Sequence, residues 1–444
     1  MSSTVMIICL IIGLILALLI STKTGLNAGV LGLIVSWIVG TIMGGIPLNT
    51  LIGYWPTSVM IIALTTTLFF GIARNNGTLK LFANKLVYKA RNAVWALPII
   101  IYVVAWIIGA AGAGAIAAEI TMSAIGFAIA AQTGMHPLLV MIAVFLGGMG
   151  GGGMFWSSEG ANRITYYGQV GGVVTDEVVT KTVVSFSIYT VIIYTIIFFI
   201  AYIVFKGWKS KVKTIDMEKP EAYNEKQKKT LGLIGVCMFL VIACAIWKCY
   251  WPTALSKKLA NIFTIQMVCL AGFVVGYFMN LCEDRKTALK VIPWDLILNI
   301  GGMCVMIKVL MTFGIPDIIK GWFESGNIPT ILVPVIFFVS AGIITLFSNF
   351  TVIYPLLMPL VPVVAAATGV NSVTLFTAMA LGSGLPGCSP FSTGGACIMS
   401  GIPNEEDRQK LVPKLFVTSM IILVITAILI MTPLLHIFPE VIQF

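Results

Sequence analysis

The sequence predicts an all-α polytopic membrane protein: an inverted repeat of two halves, each with five transmembrane helices and one re-entrant hairpin, and with broken helices at the midplane. Three observations predict it. The chain is 59% apolar and only 10% charged, with a mean hydropathy of +1.02, whereas soluble domains average about 25% charged. Its apolar runs recur at the ~20-residue length that a hydrocarbon core requires. Interruptions of those runs also occur twice in matching register, 235 residues apart.

That register carries the repeat. Thr133-Gly134 aligns with Thr368-Gly369, Gly147 with Gly382, Gly152 with Gly387, Ser157 with Ser392, and Gly160-Ala161 with Gly395-Ala396. Without gaps, 9 of the 29 residues from Thr133 to Ala161 recur from Thr368 to Ala396. Small residues match by chance in such a composition, so the alignment of break with break is the stronger signal. The same offset sets Ser348-Asn349 opposite Ala113-Gly114, inside Gly109-Ala-Ala-Gly-Ala-Gly114. Repeats with interrupted helices in corresponding positions point to a transporter's binding site.

Taken in order, spans are expected at Val5–Ile20, Ala28–Met43 and Val59–Ala73, then a short amphipathic piece at Gly77–Lys89. Residues 93–131 are nearly uncharged and broken at Gly109–Gly114. Two ordinary spans would need a polar turn there, so a re-entrant hairpin is expected. A broken helix follows at 137–168, interrupted in Gly147-Gly-Met-Gly-Gly-Gly-Gly153, because glycine disfavours helix by about 1 kcal/mol per residue. Val183–Phe205 closes a first repeat of residues 1–206, and 207–229 is a polar cytoplasmic linker. The second repeat, 230–444, follows the same plan: spans at Leu231–Ile246, Ile262–Leu281 and Leu296–Phe313, an amphipathic piece at Ile315–Phe323, a hairpin over 329–367, a broken helix over 374–400, and a last span at Leu411–Leu435.

Charge sets the orientation. The net charge of +10 is concentrated in Arg74–Arg91, Lys206–Lys229 and Arg285–Lys290, which fall on one face of this plan. The positive-inside rule makes that face cytoplasmic and both termini extracytoplasmic, in a cell inner membrane. The basic balance therefore reads as membrane topology, with no nucleic-acid partner. Nine Cys without metal spacing and only two His, His136 and His436, argue against a metal centre, a disulfide framework or a catalytic triad, so no enzyme is expected.

With these residues in view, the chain resembles the ion-transporter superfamily that contains the divalent-anion/sodium symporters. Ser348-Asn349-Phe350-Thr351 looks like that family's second hairpin tip with one insertion. The first tip, Ala113-Gly114-Ala115, departs by offering no side-chain donor. Leu26-Asn-Ala-Gly29 and Phe70-Gly-Ile-Ala-Arg74-Asn-Asn-Gly77-Thr78 are similar to the N-terminal part of MatC-type dicarboxylate carriers. The resemblance implies an elevator-type carrier, usually a homodimer, with small dicarboxylates as substrates and sodium (Na+) as coupling ion.

A carboxylate substrate needs donors without a buried counter-charge, and half-helix N-termini supply free N–H groups and a positive dipole end. Ser348, Asn349, Thr351, Ser392, Thr393, Ser157 and Ser158 would add side-chain donors. Serine and threonine also cap and pack transmembrane helices, so each lone hydroxyl has a structural alternative. Arg163 is a candidate partner for a substrate carboxylate, or else an i,i+4 partner of Glu159. Sodium needs hard oxygens, which unwound backbone supplies. One expected site uses Gly112, Ala113 and Gly114 with Gly147, Gly150 and Gly152, and the other uses Thr345, Ser348 and Asn349 with Gly382, Pro386 and Gly387. Glu119, an intramembrane carboxylate, is expected to complete a cation site or carry a proton. The expected function is a sodium-coupled secondary carrier of a C3/C4 dicarboxylate in the lipid bilayer. The alternatives are a proton-coupled anion carrier and a cation/proton antiporter.

Overall fold

The computed structural model describes residues 2–432 except 158, 161–162, 165–166, 168–175, 210–211, 213, 252, 283–291, 293, 327, 347–352, 355–356 and 403. The chain is 80% helical, with no strand among the described residues. In the first half, α1 is Ser3–Thr24; α2 is Ala28–Ser36, continued by a π-helical turn to Met43; α3 is Leu48–Gly53; α4 is Thr57–Asn75; and α5 is Thr78–Lys89. Then come α6 (Leu97–Ile108), a π-helical turn (Gly109–Ala113), α7 (Ala115–Thr133), α8 (Pro137–Gly152) and α9 (Asp176–Val204). After the linker, α10 is Glu225–Tyr250, α11 Ala254–Ile262, α12 Ile265–Phe278, α13 Trp294–Thr312 and α14 Ile315–Ser325. The chain continues with α15 (Leu332–Thr345), α16 (Val361–Thr368), α17 (Ser372–Gly384), a 3₁₀ turn (Leu385–Cys388), α18 (Thr393–Met399) and α19 (Glu405–Ile430).

Among the described residues, six helices are long and apolar enough to cross a bilayer, and α11 with α12, bent by 49°, makes a seventh. The ten full spans expected are therefore not all of that length. Ala28–Met43, Pro137–Gly152 and Leu332–Thr345 are apolar helices of 10–17 residues. At 1.5 Å per residue they stop short of a ~30 Å hydrocarbon core.

Local hydrogen bonds recur 235 residues apart. Thr133 Oγ1 donates to the Ile129 carbonyl (2.9 Å) and accepts from Met135 N–H (3.2 Å). Thr368 does the same with Val364 and Val370 (2.7 and 3.4 Å). Gly134 and Gly369 both end their helices at φ 71°, a left-handed conformation that glycine adopts freely. His136 and Asn371 then cap α8 and α17 by accepting from Leu138 and Val373 N–H.

The glycines inside α8 and α17 are where the structure corrects the sequence. The helices run through Gly147, Gly150 and Gly382 without interruption. A Cβ at Gly147 would overlap the Tyr102 carbonyl oxygen and lie 2.9 Å from Ala105 Cβ. A Cβ at Gly382 would overlap the Phe338 carbonyl oxygen and lie 3.0 Å from Ala341 Cβ. These glycines let α6 and α15 approach backbone to backbone, as small residues do in membrane bundles. The breaks come later, at Gly153 and Leu385. The paired contacts here are offset by 236, not 235, so the first half carries one extra residue beyond Ala105. The π-helical turn at Gly109–Ala113 lies in that interval and accommodates it, since a π turn takes one residue more per hydrogen bond.

The linker is docked on α5. Ile215 is buried and its N–H donates to the Arg91 carbonyl (3.2 Å), while Lys85 Nζ lies 4.6 Å from the Tyr223 ring centre. The α4–α5 turn is tied to α10 through Asn76. Its Oδ1 accepts from Thr78 N–H and Oγ1 (3.1 and 2.5 Å), its Nδ2 donates to Thr230 Oγ1 (2.9 Å), and its carbonyl accepts from Gln227 Nε2 (3.2 Å). Asn76→Ala strands the buried Thr78 N–H, so it is expected to cost roughly 2–3 kcal/mol. The check is thermal unfolding in detergent: the apparent midpoint should fall by several degrees, and an unchanged midpoint would refute this role.

Candidate functional site

The site forms where the breaks of the two halves meet. In the first half, Gly112 (φ 96°) and Gly114 (φ 82°, ψ 164°) turn the chain between α6 and α7. Both lie in backbone regions that only glycine enters without strain. Phe70 closes over Gly112, where an added Cβ would sit 2.5 Å from its ring, and Trp156 Nε1 donates to the Ala110 carbonyl (2.9 Å). The first tip is therefore held by two aromatic side chains from outside the hairpin, which compensates for its lack of side-chain donors. In the second half, Ser389 Oγ donates to the Leu346 carbonyl (2.7 Å) and ties the turn after α17 to the end of α15.

Phe145 of α8 joins the two halves: its ring meets the Cβ positions of Gly387 (3.0 Å) and Gly394 (2.6 Å). Tyr194 of α9 wedges between α8 and α17, beside Gly150 and against Gly384. Arg163, 1% exposed, bridges both halves. Nη1 donates to the Gly153 carbonyl (2.8 Å), Nη2 donates to Tyr354 Oη (2.5 Å), and the guanidinium lies 4.8 and 4.9 Å from the Phe186 and Tyr354 ring centres. The i,i+4 pairing of Arg163 with Glu159 is not formed; Glu159 Oε1 instead accepts from Ala115 N–H at the start of α7 (3.2 Å). Tyr354 and Tyr194 were not singled out from the sequence, where an aromatic in an apolar run carries no signal of its own.

The expected donors divide. Ser157 Oγ donates to the Gly152 carbonyl and to the Met154 carbonyl (2.6 Å) and accepts from Gly160 N–H (3.2 Å). Ser392 repeats this set with Gly387, Ser389 (2.8 Å) and Gly395 (3.2 Å). Both hydroxyls are committed to their own turns, so the structure makes them caps rather than free donors. Thr393 opens α18, half-buried. Thr345 Oγ1 is buried and donates to the Ala341 carbonyl (2.9 Å). Pro386 and Gly387 lie in the 3₁₀ turn, as expected of an unwound stretch. Ser158, Ser348, Asn349 and Thr351 lie outside the described residues.

The first expected sodium site fits this geometry poorly. Gly147 and Gly150 are helical, and the carbonyls of Ala110, Gly152 and Gly153 already accept from Trp156, Ser157, Arg163 and Ser187. The oxygens left without a partner are carboxylate ones: Oε2 of Glu119, 1% exposed, and Oε2 of Glu159. The second expected site straddles the undescribed residues 347–352.

Residues 1–152 match the family described as dicarboxylate carrier protein MatC N-terminus, so the resemblance seen in the N-terminal motifs is borne out over that stretch. Among solved structures the chain is similar to the YdaH transporter of Alcanivorax borkumensis, with a TM-score of 0.61 and 12% identity, covering 86% of each chain. At that identity the likeness is one of fold. Among curated protein sequences none matches significantly.

Proposed function

We propose that this chain, MatC-like through its first 152 residues, is a secondary active transporter that carries a small organic anion, a C3/C4 dicarboxylate, across the cell inner membrane. It works by elevator-type alternating access in an inverted repeat, as a homodimer with both termini outside the cytoplasm. The observation that carries the reading is the convergence of both halves' breaks on Arg163, whose guanidinium bridges Gly153 and Tyr354. The hydrogen bonds repeated around Ser157 and Ser392 support the duplicated architecture. Arg163, Thr393 and the tip residues Ser348, Asn349 and Thr351 are the proposed anion contacts, where charge-assisted hydrogen bonds would hold each carboxylate.

The resemblance implies sodium as the driving ion. A proton is the second reading, favoured by the two unpartnered carboxylate oxygens. Uptake into proteoliposomes tests both. Succinate, malate or malonate should accumulate under an imposed ion gradient, while a monocarboxylate of equal size should not. If neither a sodium nor a proton gradient moves any dicarboxylate, the substrate class is wrong; proton exchange for a metal cation without an anion would make the chain an antiporter.

A further inference from the structure

We propose that Glu119 and Glu159 together hold one exchangeable proton, and that this proton is the carrier's coupling ion. The inference rests on the carrier reading above and deepens it by assigning the driving ion and its residues.

The two carboxylates share one stripe of α8. A Cβ at Gly148 would lie 3.3 Å from Glu119 Cγ, and a Cβ at Gly152 would lie 3.2 Å from both carboxylate oxygens of Glu159. Positions four apart on a helix are about 5–6 Å apart at Cβ, so the side chains stand one helical turn from each other. Glycine at both positions leaves the space they fill. Glu159 Oε1 holds the first N–H of α7, and Glu119 projects from the next turn of that helix. The second oxygen of each carboxylate is buried with no hydrogen-bond partner among the described residues.

The charges do not balance without a further cation. The charged group within reach of Glu159 is the Arg163 guanidinium, and both its arms are spent on Gly153 and Tyr354. Two carboxylates against one guanidinium leave an excess negative charge, and burying an uncompensated charge costs several kcal/mol or more. The remaining neighbours supply nothing to offset it. The α8 helix carries no titratable side chain. On α6 the one titratable group is Tyr102, which bonds to Thr195. From the second half, the thiols of Cys388 and Cys397 face Glu119. Tyr194 is near Glu159 and Arg163, and the α5 lysines are outside Glu119's electrostatic reach.

A metal ion would need a shell of several oxygens. Here Ala115 presents an N–H, and the carbonyls of Ala110, Gly152 and Gly153 are already engaged. A proton needs two oxygens, and two are present. It binds one carboxylate to give a carboxyl group whose O–H can turn to the other, and it leaves again as a proton, with no redox change. Because α18 packs on α7 and a Cβ at Gly401 would sit 2.6 Å from Ala124 N, the proton would lie at the junction of the two halves, where its loading can bias their arrangement. Coupling of this kind is reciprocal: whatever the proton does to anion affinity, the anion does to proton affinity.

The test uses the full chain in liposomes and two readouts. Infrared difference spectra across a pH titration should show a protonated-carboxyl C=O stretch, lost in both Glu119→Gln and Glu159→Gln and unaffected by sodium at fixed pH. In the same liposomes an inward proton gradient should drive malonate or succinate uptake with acidification of an entrapped pH dye, and Glu119→Gln should cut that acidification at least tenfold. A band surviving in both variants overturns the proposal, as does a band removed by sodium at fixed pH, which would assign the site to a metal ion. Undiminished acidification in both variants also overturns it. If wild type shows the band but moves no dicarboxylate, the substrate reading fails and the proton site stands. Glutamine keeps the shape of glutamate and removes the charge, and the two variants check each other's folding.

Discussion

Gly151→Ala should yield little or no folded protein. A Cβ at Gly151 would overlap the Trp106 carbonyl oxygen and sit 2.7 Å from Ala110 N. Both are backbone atoms of the first hairpin, so no rotamer change relieves the clash. The α6–α8 pair must move apart along its whole length, losing the dispersion contacts that hold transmembrane helices together. Overpacking of this kind costs about 1–3 kcal/mol where side chains can yield, and here they cannot. Gly382→Ala, against the Phe338 carbonyl, should fail in the same way. Gly232→Ala is the control: it lies inside α10 with nothing within 4 Å, and removing a helical glycine should stabilise by roughly 0.5–1 kcal/mol. Size-exclusion profiles and thermal midpoints in detergent read all three. A monodisperse Gly151→Ala with a wild-type midpoint would show that the helices are not in backbone contact.

The same glycines mark the limit of what the sequence made legible. Glycine runs in apolar segments located the hairpin turn at Gly112–Gly114 and the elements around it, because positive φ and lost helix propensity are properties of the residue itself. They did not separate a break from a close helix crossing. Gly147 and Gly382 are crossings, since their meaning depends on Tyr102 and Phe338, which lie far away in sequence. Ser157 and Ser392 were legible as a repeated pair, but not as caps, because the carbonyls they hold come from turns whose shape only folding fixes. Arg163 stood out as a charge in an apolar run. Its partner Tyr354 did not, because the contact joins opposite halves of the chain.

Arg163→Lys should reduce dicarboxylate uptake by about a hundredfold or more. The guanidinium makes two charge-assisted hydrogen bonds at fixed angles, one to each half, while lying between two aromatic faces. Lysine keeps the charge but offers a point donor, which cannot reach both the Gly153 carbonyl and Tyr354 Oη or stack on Phe186. Hydrogen bonds to charged groups contribute about 1.5–3 kcal/mol each. Loss of one with partial loss of stacking therefore amounts to about 3 kcal/mol, and 1.4 kcal/mol is a factor of ten. Tyr354→Phe removes the acceptor on the second half and leaves the Gly153 bond, so it should cost about tenfold. In a double-mutant cycle the two should couple strongly, since each breaks the same link. Initial uptake rates for malonate or succinate, measured at equal amounts of reconstituted protein, give the three numbers. Wild-type rates in Arg163→Lys, or strict additivity with Tyr354→Phe, would mean that the bridge between the halves holds the fold without taking part in transport.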